Sequence, residues 1–459
     1  MYVAVTDRGV DQSAGSGSAY GPAADGTGSL AELVSRARLQ PRAGEAPELE
    51  TTMLTTLVAG AERPVARVAA LSQTAQTAMR LGRASECFAV LAEQRSAAGD
   101  DPAALVWALT SSAACHSIFG QLECARANLA QARQACNYAA PLLAEPFWRF
   151  ADIVCGWLGG DWVTAEADAT ALDQDRAGPF PATVAGTVTA LRVELLRGLG
   201  QRGECQRLAE RLAGLHPAEM CAWALAGLDA DQGRPEDALR RLADAADIGD
   251  RDVYRTPLPL ILHRMAEIGF AYGDQDVTSY AASALATLDQ AAPMHAILTG
   301  LAQSYATRDA EPARRAQRQA EACTAGALAA EALVVRGQVG DEPETTLPAG
   351  HAAWLRIGAA GRAGAVAALM RAAGIPAPLV QRRVARTSLP ARPDALTARE
   401  RALARLVHEG RSNQQIARTL HISVKTVEAY LTRLYRKTSC SSRVELAVAV
   451  TERRIQVGE

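Results

Sequence analysis

The side chains best suited to chemistry lie near the C-terminus, where Lys425, Thr426, Glu428, Ala429, Thr432, Arg433, Arg436 and Lys437 are interleaved with Val427, Leu431 and Leu434. The three apolar residues recur at helical spacing and define one stripe of a helix running from Val424 to about Lys437. The polar set then shares the outer face. Its lysines and arginines suit the phosphates of a nucleic-acid backbone, contacts that position a protein without reading sequence. Glu428, Ala429 and Thr432 fall where base edges would lie: a carboxylate can accept from cytosine N4, and a methyl can meet thymine. The chemistry is recognition of a duplex, with the helix in its major groove. A solvated basic helix face is the competing reading.

The flanking elements decide between them. Thr397 with Glu400 forms a capping box, so a helix starts at Ala398, with Leu403, Leu406 and Val407 on its buried stripe. Gly410 ends it, because glycine reaches the left-handed conformation of a helix exit. Ser412 and Gln415 form a second box and open a short helix over Asn413–Leu420, with Ile416, Ala417 and Leu420 inward. Ile422 and Ser423 break it, and Ser423 caps the helix from Val424. Ser442 with Glu445 supplies a third box for a closing helix carrying Val444, Leu446, Ala447, Val448 and Val450. Each cap is worth on the order of 1 kcal/mol, which matters in so small a core.

In this arrangement the stretch resembles the LuxR-type (FixJ/NarL-like) helix-turn-helix. The resemblance rests on Leu396-Thr397-Ala398-Arg399-Glu400, on Gly410 to Ala417, on Ile422 to Val427, and on Arg436-Lys437. It departs at Tyr430, where the family usually has histidine, and at Thr438, where it usually has leucine. The resemblance implies a regulator that binds double-stranded promoter DNA as a homodimer, often through the last helix, with RNA polymerase as a further partner if it activates. The expected DNA contacts are Ser412, Asn413, Lys425, Thr426, Glu428, Ala429, Tyr430, Thr432, Arg433, Arg436, Lys437 and Arg443.

At 459 residues the chain exceeds one core, so several domains are expected. Its net charge of −2 is unevenly split: Ala391 to Glu459 holds 13 Arg+Lys against 7 Asp+Glu, and the remainder 35 against 43. A basic tail on an acidic body is what a protein with one nucleic-acid surface needs. The same asymmetry allows the body to cover the basic helix until an effector releases it. Lys425 and Lys437 are the only lysines, and this arginine- and alanine-rich usage points to a GC-rich, bacterial genome. Nine cysteines are scattered singly, several at apolar helix positions such as Cys87 and Cys205, which reads as a reduced cytoplasmic protein with no metal site. No signal peptide and no membrane-length apolar run are found.

Ahead of this tail, glycines recur at 82, 120, 160, 200, 233 and 273. Five residues after each comes a small residue: Cys87, Ala125, Ala165, Cys205, Ala238 and Thr278. Nine after comes Leu91, Leu129, Ala169, Ala209, Leu242 or Ala282. Glycine turns the chain between antiparallel helices, the small residue lets them approach, and the apolar one joins the core. Trp107, Trp148 and Trp223 belong to first helices of pairs. The period resembles the tetratricopeptide class of solenoid, best in Gly233-Arg234-Pro235-Glu236-Asp237-Ala238-Leu239; an alanine-rich bundle is the alternative. Past Asp309 the pattern blurs, and two or three more helices are expected to Gly374, including Ala352–Ile357 and Ala363–Ala373.

The expected fold class is all-α: a tetratricopeptide-like solenoid followed by a four-helix LuxR-type domain. The expected divisions are a disordered segment 1–29, an array 30–374, a proline-rich linker 375–391, and the DNA-binding domain 392–459. Repeats ahead of such a domain resemble the C-terminal half of the large ATP-binding LuxR regulators (the MalT-like group). Their phosphate-binding G-x-x-x-x-G-K-[ST] loop is absent, so no nucleotide cofactor is expected, and the chain reads as a stand-alone form or a truncated relative. A receiver domain is not expected either, for want of β-branched strand runs. His116, His263 and His295 fit helix surfaces or cores better than catalytic centres, and the chain reads as no enzyme. The leading expectation is a regulator whose array senses a protein or small-molecule effector. The alternative is an interaction scaffold with a vestigial reader.

Overall fold

The computed structural model describes residues 64–136, 145–174, 182–212, 214–215, 217–251, 255–377, 398–419 and 443–451, together with 427, 431, 434, 438 and 440. The chain divides into two compact units, Met1–Pro378 and Leu379–Glu459. Helices and turns make up the described residues, with no strand among them. The segment 1–29, and the linker beyond Ala377, lie outside the described residues. None of the described helices is long and apolar enough to cross a membrane.

The first unit is a run of helix pairs: α1 (Pro64–Arg80) with α2 (Ala84–Ala98), α3 (Pro102–Ile118) with α4 (Leu122–Cys136), α5 (Glu145–Gly159) with α6 (Trp162–Gln174), and α7 (Ala182–Leu199) with α8 (Arg202–Ala209). It continues through α9 (Ala218–Asp231) with α10 (Pro235–Arg251), α11 (Leu258–Tyr272) with α12 (Gln275–Ala286), and α13 (Pro293–Thr307) with α14 (Glu311–Ala322). The last members are α15 (Gly326–Gln338) with α16 (Pro343–Arg356), and then α17 (Ala360–Ala372). Each helix packs chiefly on its pair-mate and on the next pair, as a repeat array must, since one pair cannot bury its own apolar face.

The periodic glycines stand at the turns inside pairs, all with left-handed φ between 71° and 91°. A residue with a Cβ is strained there. The small residues five positions on are at most 2% exposed, so the paired helices do approach closely at them. Of the apolar set, Ala209 is partly buried and the others are buried. Trp107, Trp148 and Trp223 lie on α3, α5 and α9, the first helices of their pairs.

Past Asp309 the structure has four helices, α14 to α17, rather than two or three. The turn inside α13–α14 takes its left-handed residue from Arg308 (φ 55°), so no glycine marks that pair in the sequence. The spacing then resumes at Gly340 (φ 93°) and Gly374 (φ 73°). The stretch 352–357 is the end of α16 and the residue after it, not a helix of its own.

The row of pairs turns back on itself. α5 packs against α15, and α7 against α17, five pairs further along the chain in each case. The Met294 N–H donates to the Phe119 carbonyl at 3.1 Å, and the Arg255 N–H to the Arg80 carbonyl at 2.6 Å. Asp289 accepts from the backbone and the hydroxyl of Ser85, at 2.7 and 3.1 Å. An open solenoid would leave these edges in water.

In the second unit, α18 (Ala398–His408), α19 (Asn413–Thr419) and α20 (Arg443–Thr451) gather around one small core. Leu403, Leu406, Val407, Ile416, Ala417, Val427, Leu431, Leu434, Cys440, Leu446 and Val450 belong to it.

Candidate nucleic-acid interface

α18 stops where the sequence places its exit. The Gly410 N–H donates to the Val407 carbonyl at 3.0 Å and the Arg411 N–H to the Leu406 carbonyl at 3.1 Å, with Gly410 at φ 75°. That bond pair satisfies two carbonyls a helix end leaves open. α19 then begins with the expected box: the Ser412 N–H donates to Gln415 Oε1 at 2.8 Å, and the Gln415 N–H to Ser412 Oγ at 3.3 Å. Ser412 is exposed. Its hydroxyl oxygen is an acceptor in this box, so its proton remains free to be donated outward.

Val427, Leu431 and Leu434 are helical and at most 5% exposed, so the stripe that defines the reader helix is turned into the core. The Thr438 N–H and hydroxyl both donate to the Leu434 carbonyl, at 2.9 and 2.8 Å. The departure from leucine at this position thus supplies a bond at the end of the reader. Lys425, Thr426, Glu428, Ala429, Tyr430, Thr432, Arg433, Arg436 and Lys437 lie outside the described residues, as do Thr397, Leu420, Ser423 and Ser442.

Ser412, Asn413 and Arg443 are the expected contacts that the structure does place, and it brings the last two together. Arg443 donates through Nη1 to Asn413 Oδ1 at 3.2 Å and through Nη2 to the Arg411 carbonyl. Both terminal nitrogens are therefore used inside the domain, and Arg443 ties the start of α20 to the start of α19. With its oxygen engaged, Asn413 turns its amide nitrogen away from Arg443, as a donor. The sequence carries no sign of this tie, since the partners are 30 and 32 residues apart.

Residues 394–450 match the family described as bacterial regulatory proteins, luxR family. The chain carries a LuxR-family helix-turn-helix domain. This LuxR-type domain is 48% identical over 52 residues to a putative HTH-type transcriptional regulator of Mycobacterium tuberculosis, a stretch that is 11% of this chain and 6% of the relative. It is 46% identical over 54 residues to the monoamine regulon transcriptional regulator of Klebsiella aerogenes, covering 12% of this chain and 24% of the relative. Against the nitrate/nitrite response regulator protein NarL of Escherichia coli the identity is 42% over 60 residues, 13% of this chain and 28% of the relative. The chain thus spans less than a third of each of these relatives. The matched stretch is the LuxR-type domain.

Proposed function

We propose that the chain is a transcription regulator, and not an enzyme, which binds double-stranded promoter DNA by laying the helix around Val424–Lys437 in the major groove. The observation that carries this reading is the inward stripe of Val427, Leu431 and Leu434 in a LuxR-type core. With these three inward, helical periodicity assigns Lys425, Arg433, Arg436 and Lys437 to phosphates, and Glu428, Ala429 and Thr432 to base edges. Ser412 and Asn413 add donors at the start of α19, and Tyr430 adds a phosphate contact. The names of the relatives, all transcriptional or response regulators, support the same reading.

On this reading the regulator acts in the cytoplasm as a homodimer on paired half-sites, and meets RNA polymerase if it activates. Residues 392–459 are the DNA-binding module, 375–391 the connection to it, and 30–374 the array that senses a protein or small-molecule effector. Mapping the genomic fragments bound by the full chain tests the proposal. A recurrent palindromic motif upstream of genes is the expected result. Recovery of no fragment above background would overturn it and favour the scaffold reading.

A further inference from the structure

Where α17 meets α7 the array buries a knot of charge. The Arg362 guanidinium on α17 reaches Glu194 on α7 at 2.9 Å, Glu267 on α11 at 3.4 Å and Glu331 on α15 at 4.0 Å. Glu194, only 2% exposed, also accepts from Arg197 at 2.8 Å and from Arg264 at 2.9 Å. Arg264 donates in turn to the Trp223 carbonyl at 2.7 Å and lies 4.3 Å above that indole ring. One side chain, Arg362, therefore joins α17 to helices of three different pairs, across 168 residues in the case of Glu194.

Around the knot the backbones touch almost bare. A Cβ at Gly361 would stand 2.5 Å from the Arg197 carbonyl and 2.9 Å from the Gly200 N. Charges at such a closure are a poor glue. Buried ion pairs are often no better than apolar side chains of the same volume, because each ion gives up its hydration. Here satisfaction is incomplete as well: Arg362 Nε and His263 Nε2 are buried with no hydrogen-bond partner. On separation every charged group would regain water, which offsets much of the lost attraction. An apolar closure would lose its whole contribution. Glu267 and Arg362, 28% and 18% exposed, already give water a way in.

We infer that this knot is a clasp: it holds α17 against α7, and it can release α17 as a unit while the rest of the array stays folded. The array then has two discrete arrangements separated by a small free energy, the kind of element a ligand or partner can bias. α17 is the last helix of the array, and the chain continues from it toward the LuxR-type domain. The inference rests on the contacts within the array and stands apart from the DNA-binding proposal.

Hydrogen exchange followed by mass spectrometry on the full chain tests it. Glu194→Gln, Arg362→Met and Arg362→Lys are compared with the parent. The expected result is exchange at least tenfold faster in 182–199 and 360–372, with α1 to α4 unchanged. Arg362→Lys should fall between parent and Arg362→Met, since an ammonium keeps the charge but lacks the planar five-donor fork of a guanidinium. In the double variant Glu194→Gln/Arg362→Met the effect should be smaller than the product of the two single effects. Unchanged protection of 360–372 in all variants would overturn the clasp. So would acceleration spread evenly through the array, or loss of folding in both Arg362 variants, because α17 would then not open on its own.

Discussion

At the scale of single residues, the proposed function divides the LuxR-type domain into groups that would meet DNA and groups that would hold those in place. Arg443 belongs to the second kind. Replacing it with methionine keeps the stem but leaves Asn413 Oδ1 and the Arg411 carbonyl without their donor. Hydrogen bonds from a charged group contribute about 1.5–3 kcal/mol, so Arg443→Met should weaken binding roughly tenfold on every DNA sequence. Titration of specific and random duplexes checks this, and a loss confined to one sequence would speak against a positioning role. The box of Ser412 and Gln415 was legible because its partners are three residues apart and follow a local rule. Nothing local announces a bond between residues 413 and 443, so Arg443 was legible only as a cation near the reader.

At the scale of elements, the array is punctuated by turns that need left-handed backbone, and these are unequal. Gly120 has φ 82°, and a Cβ there would meet the Met294 N at 3.0 Å, the same group that bonds the Phe119 carbonyl across the closure. Gly233 has φ 74° with nothing within 4 Å of its Cβ position. Gly233→Ala should therefore cost only the backbone strain, about 1 kcal/mol, whereas Gly120→Ala should cost about 2–3 kcal/mol and loosen the contact with α13. Denaturant melts of the two variants give the comparison, and equal losses would contradict the closure seen at Phe119. The same chemistry explains how far the elements could be read. In the pairs turned at Gly82 to Gly273 the glycine made the pair visible in sequence, but the pair turned at Gly340, past Asp309, was not read. Where Arg308 makes the turn, the pair was not visible, because a strained non-glycine residue carries no compositional mark.

At the scale of the whole molecule, the fold class was legible from period and composition, but the return of the array upon itself was not. Its contacts join positions such as 119 and 294, or 194 and 362, and no periodic pattern encodes which pair meets which. The buried charge this closure creates should be visible in pH dependence. Burial, with Glu267 adding its like charge and Arg362 opposing, pushes the Glu331 carboxyl from 4.5 up to about 7. Arg197 and Arg264 also oppose the rise, and burial, with the charge of Glu331 adding to it, raises the Tyr305 hydroxyl. Between those pH values the folded chain keeps a proton that the unfolded chain has released. Glu331 thus contributes stability below about 4.5 that is lost as pH climbs to about 7. Burial lowers His116, His263 (to about 4) and His295, whose contributions run the other way and are lost as pH falls below about 6.5. The difference between Glu331→Gln and the parent isolates the carboxyl. The variant should gain in relative stability as pH rises through this range and level off above about 7, and a pH-independent difference would contradict the assignment.

The domain at the C-terminal end remains what the account stands on, and its most direct test is the salt dependence of operator binding. The full chain should show a steep linear fall of log K with log salt. Arg433→Ala/Lys437→Ala should flatten that slope by about 1.8 per reader helix, for two phosphate contacts, and weaken binding on all sequences alike. An unchanged slope with unchanged affinity would mean that the cationic side of the 424–437 segment does not face DNA.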